Sequence, residues 1–385
     1  MTLIHMIAGL QTGGIETWLT RVIPELDRRG HRNVFIVTKP SNVDDSIVQK
    51  LKDANAEIHG IPGYNLPALY RFLRKVKQAS ENQGEKTAVV NHLQATSIVG
   101  ALPAKALGLP TFLIFHNVTF RAQSDLARKR GLSSLRDAFV NMTVPVSVRL
   151  ADECGGCSAD VVDQWAAKAK SKTVIRYCVD DAFLEDSPTD TAHQENGSAP
   201  RLINIGRLVE QKDQESLLKM FDIFAESVPE AELLILGEGT LRPKLESQIA
   251  GMKHGAAVKM PGVRRDVKEQ LDASTLLVMT SKWEGYGLVC LEAASRGIPT
   301  VAFRVAGIRD AVRDGETGIL IEPGNIEQMA EACRTLCTDR ELYNKFSRAA
   351  REHAFQNGSP AASADLLLDV LNGQQTHPQP VQEAS

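Results

Sequence analysis

Short apolar runs alternate with segments of helical periodicity along most of the chain. Runs such as 3–8 and 33–38 predict buried strands. Segment 16–29 has apolar side chains at helical spacing, at Trp18, Leu19, Val22, Ile23 and Leu26. This spacing predicts a helix with one buried face. Repeated strand–helix units of this kind are typical of a doubly wound parallel sheet with helices on both faces.

The pattern stops once and then restarts. Before the stop, strands are predicted at 3–8, 33–38, 58–60, 87–90, 111–115, 153–157 and 173–175, and helices at 16–29, 47–54, 66–78, 96–107 and 161–167. Residues 186–200 are polar, contain Pro and Gly, and have no apolar period, which predicts a linker. After it, strands are predicted at 201–205, 232–236, 258–260, 276–280 and 300–303, helices at 213–227, 241–250, 267–272 and 326–336, and two further elements at 308–312 and 318–321.

Two domains follow from this pattern and from the length of 385 residues, which exceeds what one hydrophobic core usually supports. We expect two Rossmann-like α/β domains that face each other across a cleft. They comprise residues 1–185 and residues 201–355. A helix at 356–371 is expected to return to the first domain, and residues 372–385 are expected to be a disordered tail.

Composition limits the kinds of partner and the cellular compartment that we expect for the protein. The net charge is −3, divided into +5 for residues 1–185 and −8 for the rest. A mildly basic first half is compatible with an anionic partner or a membrane surface, and equally with no function. No apolar stretch is long enough to span a bilayer, and no nucleic-acid partner is indicated. Six cysteines in a chain of this length do not form a disulfide framework, so we expect a cytoplasmic protein.

The most informative segment is 283–292, where two carboxylates flank a glycine-containing turn. Glu284 is predicted on a strand-to-helix loop and Glu292 on the helix that this loop opens. In an open α/β sheet such loops lie at the carboxyl ends of the strands, where ligands bind. Backbone N–H groups there can approach a ligand closely, namely those of Gly285, Tyr286, Gly287 and Leu288.

Two cations follow the first strand of the second domain. Arg207 and Lys212 flank its loop, where they could hold a diphosphate or remain solvated. Gly237 ends the next strand and could contact a nucleotide or only connect two elements. In the first domain, Gly13 and Gly14 form a glycine loop without the third glycine of a dinucleotide fingerprint, which disfavours NAD binding.

Histidines follow two strands of the first domain, His92 after 87–90 and His116 after 111–115. Two histidines at adjacent strand ends favour a polar site there. The chain contains no Asp-x-Asp, the carboxylate pair that usually bridges a diphosphate through Mg²⁺ or Mn²⁺. We therefore expect no metal ion and no cofactor, with the phosphates neutralised by fixed cations and helix N-termini.

Taken together, these residues resemble the GT-B glycosyltransferases of family 4, the retaining group 1 enzymes, over about residues 3 to 355. The segments that carry the resemblance are Gly206–Leu208, Gly237–Gly239, Glu284–Leu288, Glu292–Ala293 and Gly297–Pro299. The Glu–(x)7–Glu pair in this context is specific. Gly13–Glu16, His92 and Phe115–Asn117 fall where the family has its first-domain motifs.

The resemblance implies a sugar nucleotide as donor, UDP- or GDP-linked. Arg207 and Lys212 would hold its diphosphate, Glu292 its ribose, and Glu284 with the backbone of 285–288 the transferred sugar. Gly13 and Gly14 would approach the phosphates, and His116 would contact the sugar or acceptor. The predicted catalytic set is therefore Glu284, His116, Arg207 and Lys212.

Some positions depart from the family pattern. Tyr177–Asp180 stands where many members have Asn-Gly-Val-Asp, so any donor contact from that asparagine is absent. Thr280 and Trp283 also differ from the commonest residues of their segment. These changes could alter the choice of sugar.

The acceptor is less defined than the donor. The basic segment 119–137 and the helix 70–77 could face a lipid-linked acceptor at the inner face of the plasma membrane, or could be solvated surface. We expect a retaining, metal-independent glycosyltransferase acting on a glycan or lipid-linked acceptor. The alternatives are a sugar-nucleotide epimerase on the same fold and a non-catalytic nucleotide-sugar binding protein. The sequence leaves the oligomeric state open.

Overall fold

The computed structural model describes residues 1–11, 13–63, 65–93, 97–118, 135–185 and 199–373, without the side chains of 135–139 and 141. The chain divides into two compact units. The first comprises Met1–Cys178 and the C-terminal segment that begins at Pro360, and the second comprises Val179–Ser359. Each unit contains one parallel sheet with helices, which confirms the predicted fold class.

The sheet of the first unit has seven strands in the order β3-β2-β1-β4-β5-β6-β7. Its strands are β1 (Thr2–Ile7), β2 (Arg32–Val37), β3 (Glu57–Gly60), β4 (Thr87–Asn91), β5 (Thr111–Phe115), β6 (Glu153–Gly156) and β7 (Lys172–Val174). Its helices up to Cys178 are α1 (Gly14–Arg28), α2 (Asp45–Asp53), α3 (Leu66–Glu81), α4 (Ser97–Ala106), α5 (Leu135–Leu150) and α6 (Ala159–Trp165).

The sheet of the second unit has six strands in the order β10-β9-β8-β11-β12-β13. Its strands are β8 (Arg201–Ile205), β9 (Glu232–Leu236), β10 (Val258–Gly262), β11 (Leu276–Met279), β12 (Thr300–Phe303) and β13 (Gly318–Ile321). Its helices are α7 (Asp181–Leu184), α8 (Gln214–Ser227), α9 (Arg242–Ala250), α10 (Val267–Asp272), α11 (Leu288–Ser295), α12 (Ile308–Ala311), α13 (Ile326–Thr338) and α14 (Arg340–Asn357). The last helix, α15 (Pro360–Leu371), belongs to the first unit.

The cores lie between each sheet and its covering helices. Strands β1, β4, β5, β11 and β12 are buried along their whole length, as expected of parallel strands covered on both faces. The predicted apolar face of α1 is also buried, and Trp18 on that face is completely enclosed. The apolar periodicity therefore identified the buried face of α1 correctly.

The boundaries between the two units differ from those predicted from the sequence. The first unit ends at Cys178, before the predicted limit at 185, because the segment after Cys178 is held by the second unit. The guanidinium of Arg296 donates hydrogen bonds to the carbonyls of Phe183 and Glu185, at 3.1 Å and 2.9 Å. The N–H of Val179 donates to the carbonyl of Gly358 at 2.9 Å.

The C-terminal helix α15 packs against α1. The indole N–H of Trp18 donates to Ser363 Oγ at 2.8 Å, and Arg29 forms an ion pair with Asp365. The chain therefore enters the second unit at Val179 and returns to the first unit at Pro360.

Some predictions lie outside what the structure describes. These are most of the linker 186–200, most of the basic segment 119–137, and the tail from residue 374.

Helix α5, which the apolar pattern did not predict, contains several β-branched residues and Pro145. Within the described residues, no helix combines the length and the apolar character required to cross a membrane.

Candidate functional site

The candidate site of the second unit lies at the carboxyl ends of neighbouring strands. Strand β8 pairs with β11 on one side and with β9 on the other. The loop after β8 carries Arg207 and Lys212, and the loop after β11 carries Glu284. Because parallel strands end at the same edge of the sheet, residues far apart in sequence meet there.

Hydrogen bonds join the loop after β8 to the loop after β11. The N–H of Lys282 donates to the Gln211 carbonyl at 2.8 Å, and Gln211 Nε2 donates to the Trp283 carbonyl at 2.9 Å. The hydroxyl of Thr280 lies 2.9 Å from the carbonyl of Asp213 and 3.2 Å from that of Lys212. These bonds fix the two loops relative to each other.

Lys212 and Glu284 form a largely buried ion pair between Lys212 Nζ and Glu284 Oε1. Their side chains are 16% and 8% exposed. The Ser281 hydroxyl donates to the same carboxylate oxygen at 2.7 Å. The structure therefore brings together two of the predicted catalytic residues and adds Ser281, which the sequence analysis did not identify.

Arg207 differs from Lys212 in its surroundings. Its side chain is exposed and makes no ion pair or hydrogen bond with any residue that the structure describes. Its backbone is fixed, because Gln214 Nε2 donates to the Arg207 carbonyl at 3.1 Å. The loop thus presents one cation to solvent and holds another against a carboxylate.

Gly237 has a packing role that does not depend on a ligand. Its φ is +144°, and a Cβ at this position would lie 2.0 Å from the carbonyl oxygen of Gly206. The N–H of Leu208 donates to the Glu238 carbonyl at 2.9 Å, so the loops after β8 and β9 pack backbone to backbone. From the sequence, Gly237 could contact a nucleotide or only connect two elements. The close approach of the Gly206 carbonyl explains the glycine without a ligand.

The glycine-containing turn after β11 places Glu284 and Glu292 on different elements. Gly287, with φ +80°, precedes α11, which begins at Leu288. Glu284 therefore lies on the loop and Glu292, which is partly exposed, lies on the helix. The two acids therefore lie on the loop and on the helix on which the sequence predicts them. Tyr286 is buried rather than exposed to a ligand.

The histidines of the first unit form a buried hydrogen-bonded chain. His5 Nδ1 lies 3.3 Å from His92 Nε2, and His92 Nδ1 lies 2.9 Å from His116 Nε2. His116 Nδ1 lies 2.7 Å from the hydroxyl of Tyr177. Both ring nitrogens of His116 are therefore occupied by neighbours in the same unit.

Burial controls the ionisation of these rings. Desolvation lowers the pKa of His116 to about 3 and that of His5 to about 4, and it lowers the pKa of His92 well below its usual range. The histidines are therefore neutral at physiological pH. The sequence analysis identified His92 and His116 but not His5, which is a polar residue within the apolar strand β1 and could have been noticed for that reason.

Gly13 and Gly14 lie at the start of α1 beside this cluster. Gly13 precedes the helix with an extended backbone, and the ring of Tyr177 lies 3.7 Å from where a Cβ on Gly14 would be. The carboxylate of Glu16 folds back over Gly13, and its desolvation raises the pKa of Glu16 to about 7. Tyr177, which departs from the family pattern, thus connects the glycine pair to His116.

No group of three His, Cys, Asp or Glu side chains is placed to hold a metal ion in the parts of the chain that the structure describes. The expectation that the protein works without a metal remains a prediction.

Two parallel-sheet α/β units, the second with cations and carboxylates at its strand ends, have the architecture of the GT-B fold. The model of the group 1 glycosyl transferases matches residues 188–353, and that of glycosyltransferase family 4 matches residues 12–183. The chain therefore belongs to the group 1 glycosyltransferases of family 4.

Curated relatives agree with this assignment. The sulfoquinovosyl transferase SQD2 of Arabidopsis thaliana is 38% identical over 171 residues, which is 43% of this chain and 32% of that protein. The D-inositol 3-phosphate glycosyltransferase of Rhodococcus opacus is 26% identical over 383 residues, covering 93% of this chain and 85% of the relative. The chain thus spans only about a third of the first of these proteins.

Solved structures share the fold. Anabaena HepE, crystallised in complex with UDP and glucose, superposes with a TM-score of 0.76 and 19% sequence identity. The match covers 97% of this chain and 100% of that one.

Proposed function

We propose that the protein is a retaining, metal-independent glycosyltransferase that transfers a sugar from a UDP- or GDP-linked donor to a glycan or lipid-linked acceptor. The observation that carries this proposal is the largely buried Lys212–Glu284 pair beside the exposed Arg207, which has no partner among the described residues, at the strand ends of the second unit. HepE was crystallised with UDP, which supports a nucleotide-linked donor for a chain of the same fold.

The donor would be held by chemically distinct groups. Arg207 and Lys212 bind the diphosphate, the first as a bidentate donor and the second as a point charge. Glu284 and the N–H groups of 285–288 bind the sugar, and Glu292 accepts hydrogen bonds from the ribose. The contributions of Gly13, Gly14 and His116 stay predictions, and a direct contact from His116 requires one of its present hydrogen bonds to break.

The cations also fit the chemistry of transfer. Cleavage of the glycosidic bond develops positive charge on the anomeric carbon and negative charge on the leaving diphosphate. Arg207 and Lys212 stabilise the negative charge. Removing one preorganised donor of this kind typically costs about 2.7–4 kcal/mol of transition-state stabilisation.

Replacement of Arg207 tests the diphosphate site most cleanly, because its side chain has no partner to disturb among the described residues. Arg207→Gln should reduce turnover by roughly 10²–10³-fold with an unchanged melting temperature. Arg348→Gln, which replaces another exposed arginine of the same unit, is the matched control. Near-normal turnover of Arg207→Gln would exclude the diphosphate role.

A thermal-shift screen against UDP, GDP, ADP and their sugars identifies the donor. Binding stabilises the folded protein by RT ln(1 + [L]/Kd), so the melting temperature rises with the logarithm of the ligand excess over Kd. If no nucleotide raises it, the donor assignment is wrong. Assay of the bound donor then separates sugar transfer from isomerisation of the donor and from binding without turnover.

The acceptor side would approach an anionic membrane surface from the cytoplasm. Helix α3 buries Leu69, Leu73 and Val76, and its opposite face exposes Tyr70, Arg71, Arg74 and Lys75. Basic and aromatic side chains on one helix face favour an interface with anionic lipid. The basic residues Arg128, Lys129 and Arg130, which the sequence analysis groups with this helix, lie outside the described residues.

Vesicle sedimentation tests this surface. Reversing the charges of Arg71, Arg74 and Lys75 should abolish binding to anionic vesicles, as should reversing Arg128, Lys129 and Arg130. Reversal of Lys345, Arg348 and Arg351 on α14 is the control. Unchanged binding of both test variants excludes the membrane contact.

A further inference from the structure

Glu284 carries an unusual combination of contacts for a residue proposed to bind a sugar. Its Oε1 atom accepts from Lys212 and from Ser281, whereas Oε2 accepts no hydrogen bond from the described residues. One oxygen of the carboxylate is therefore fixed in the protein, and the other is available to accept from a ligand.

The carboxylate also has little freedom to move away. The N–H of Glu284 donates to the Ala306 carbonyl at 3.2 Å, which fixes the backbone, and the Ser281 bond fixes the side chain. The stem of Lys212 packs against Gly206, with Cε 3.2 Å from where a Cβ would be. A phosphate that reaches the ammonium of Lys212 must therefore lie close to the negative charge of Glu284.

The donor and its product differ in the charge they bring to this position. The β-phosphate of a nucleotide sugar is a diester with one negative charge, and the attached sugar brings hydroxyl groups that can donate to a carboxylate. The terminal phosphate of a nucleoside diphosphate is substituted only by the anhydride bond to the α-phosphate and has a second pKa near 6, so it carries almost two negative charges at neutral pH. It also brings no sugar hydroxyl.

We propose that Glu284 is a specificity-determining residue that weakens the binding of the nucleoside diphosphate relative to the nucleotide sugar. The sugar complex gains a hydrogen bond at Oε2. The nucleoside diphosphate faces repulsion from the same group and competes with it for Lys212. Glu284 thus shifts the balance of the site towards entry of the donor and release of the product. This inference rests on the proposed function and adds to it a role in discriminating between substrate and product.

The test measures Kd by calorimetry for UDP and UDP-glucose, or for GDP and GDP-mannose if the screen selects guanine. Glu284→Gln removes the charge and keeps the shape, so the affinity for the nucleoside diphosphate should rise at least about fivefold, which is the effect of two unit charges about 4 Å apart in bulk water and is larger at the lower dielectric of a protein surface. The affinity for the nucleotide sugar should not rise. Glu232→Gln is the matched control, because it breaks the Lys259–Glu232 ion pair at the opposite end of the same sheet.

A measurement on the unmodified protein keeps the inference testable if Glu284→Gln does not fold. The β-methyl ester of UDP or GDP lacks both the sugar and the extra charge, so it should bind more tightly than the nucleoside diphosphate. Equal or weaker binding of the ester, or the same ratio of affinities in Glu284→Gln as in the wild type, overturns the inference and leaves the proposed function standing. If the wild type binds no nucleotide, both are wrong.

Discussion

At the scale of single residues, Arg296 shows how the second unit accommodates a buried charge. Its side chain is fully buried, and all three guanidinium nitrogens donate hydrogen bonds. Nε and Nη2 bind the carboxylate of Asp272 at 2.6 Å and 3.1 Å, and Nη1 binds the carbonyls of Phe183 and Glu185. The guanidinium thereby ties α7 to the C-terminal ends of α10 and α11.

Replacing Arg296 by Met should destabilise the second unit strongly. The change leaves a partly buried carboxylate and two carbonyls without their donor, and breaking a buried ion pair typically costs about 3–5 kcal/mol. Urea unfolding measures the loss. The control is Arg264→Met, which removes the exposed Arg264–Asp266 pair and should change the stability little. Equal effects of the two replacements would contradict this account.

The sequence allowed the position of Glu284 to be predicted but not its partner. Flanking strand and helix patterns place Glu284 on a loop, since those patterns are local. The pairing with Lys212 depends on β8 lying beside β11, and apolar periodicity contains no information on strand order. Arg296 was missed for the same reason, because its partners Asp272 and Phe183 are distant in sequence.

At the scale of secondary-structure elements, the histidine chain joins β1 to the loops after β4 and β5. Asn33 fixes its direction. Asn33 Nδ2 donates to the His31 carbonyl at 3.0 Å, so Asn33 Oδ1 faces His5 Nε2 at 3.2 Å and accepts from it. His5 Nδ1 must then accept from His92, and His92 from His116. His116 Nδ1 finally accepts from the Tyr177 hydroxyl, so the chain is satisfied with every ring neutral.

This chain predicts an acid sensitivity of the first unit. The pKa of His5 is lowered to about 4 and that of His116 to about 3, with His92 also far below its usual range. In the unfolded chain the same rings protonate near pH 6.5. The unfolded state therefore binds more protons below that pH, and stability falls as pH drops from about 6.5 towards 4, by up to about 1.4 kcal/mol per histidine per pH unit.

Urea unfolding of the first unit at several pH values measures this slope. In the His5→Phe variant, the unfolding free energy should depend less steeply on pH, by the equivalent of about one proton, because one of the three titrating rings is absent. A free energy of unfolding that is constant between pH 7 and pH 5 would contradict the buried, neutral chain.

The alternation of strands and helices was predictable because it depends on short-range apolar spacing. Strands β5, β8, β9 and β12 have the predicted bounds. Helix α5 was not predicted, because its β-branched residues and Pro145 give no helical period and its helical state depends on packing against α4. Tertiary contacts thus decide the elements whose local preference is weak.

At the scale of the whole molecule, the second unit is formed by one continuous segment of the chain, and the first unit is formed by the segments before and after it. Helix α15 completes the first unit by covering α1, and it buries Ala364, Leu367 and Val370. Its hydrogen bond from Trp18 to Ser363 is also buried. The stability of the first unit therefore depends on the C-terminal end of the chain.

Truncation after Ser359 should destabilise the first unit and leave the second nearly unchanged. Each fully buried Leu or Val side chain contributes about 1.5–3 kcal/mol, so the loss of α15 should lower the first unit's unfolding free energy by at least about 3 kcal/mol. Differential scanning calorimetry resolves the two transitions. Truncation after Gly373 is the control, since the sequence predicts a disordered tail there. A first transition unchanged by the loss of α15 would refute the dependence.

Because α15 returns to the first unit, recombination between this chain and a relative has to keep α1 and α15 together. A single crossover in the linker 186–200 would join the α1 of one parent to the α15 of the other. Trp18 and Ser363 would then come from different parents, and their buried hydrogen bond would depend on chance compatibility. Exchange of the second unit alone instead requires two crossovers, before Val179 and after Ser359, so that both helices stay with the same parent.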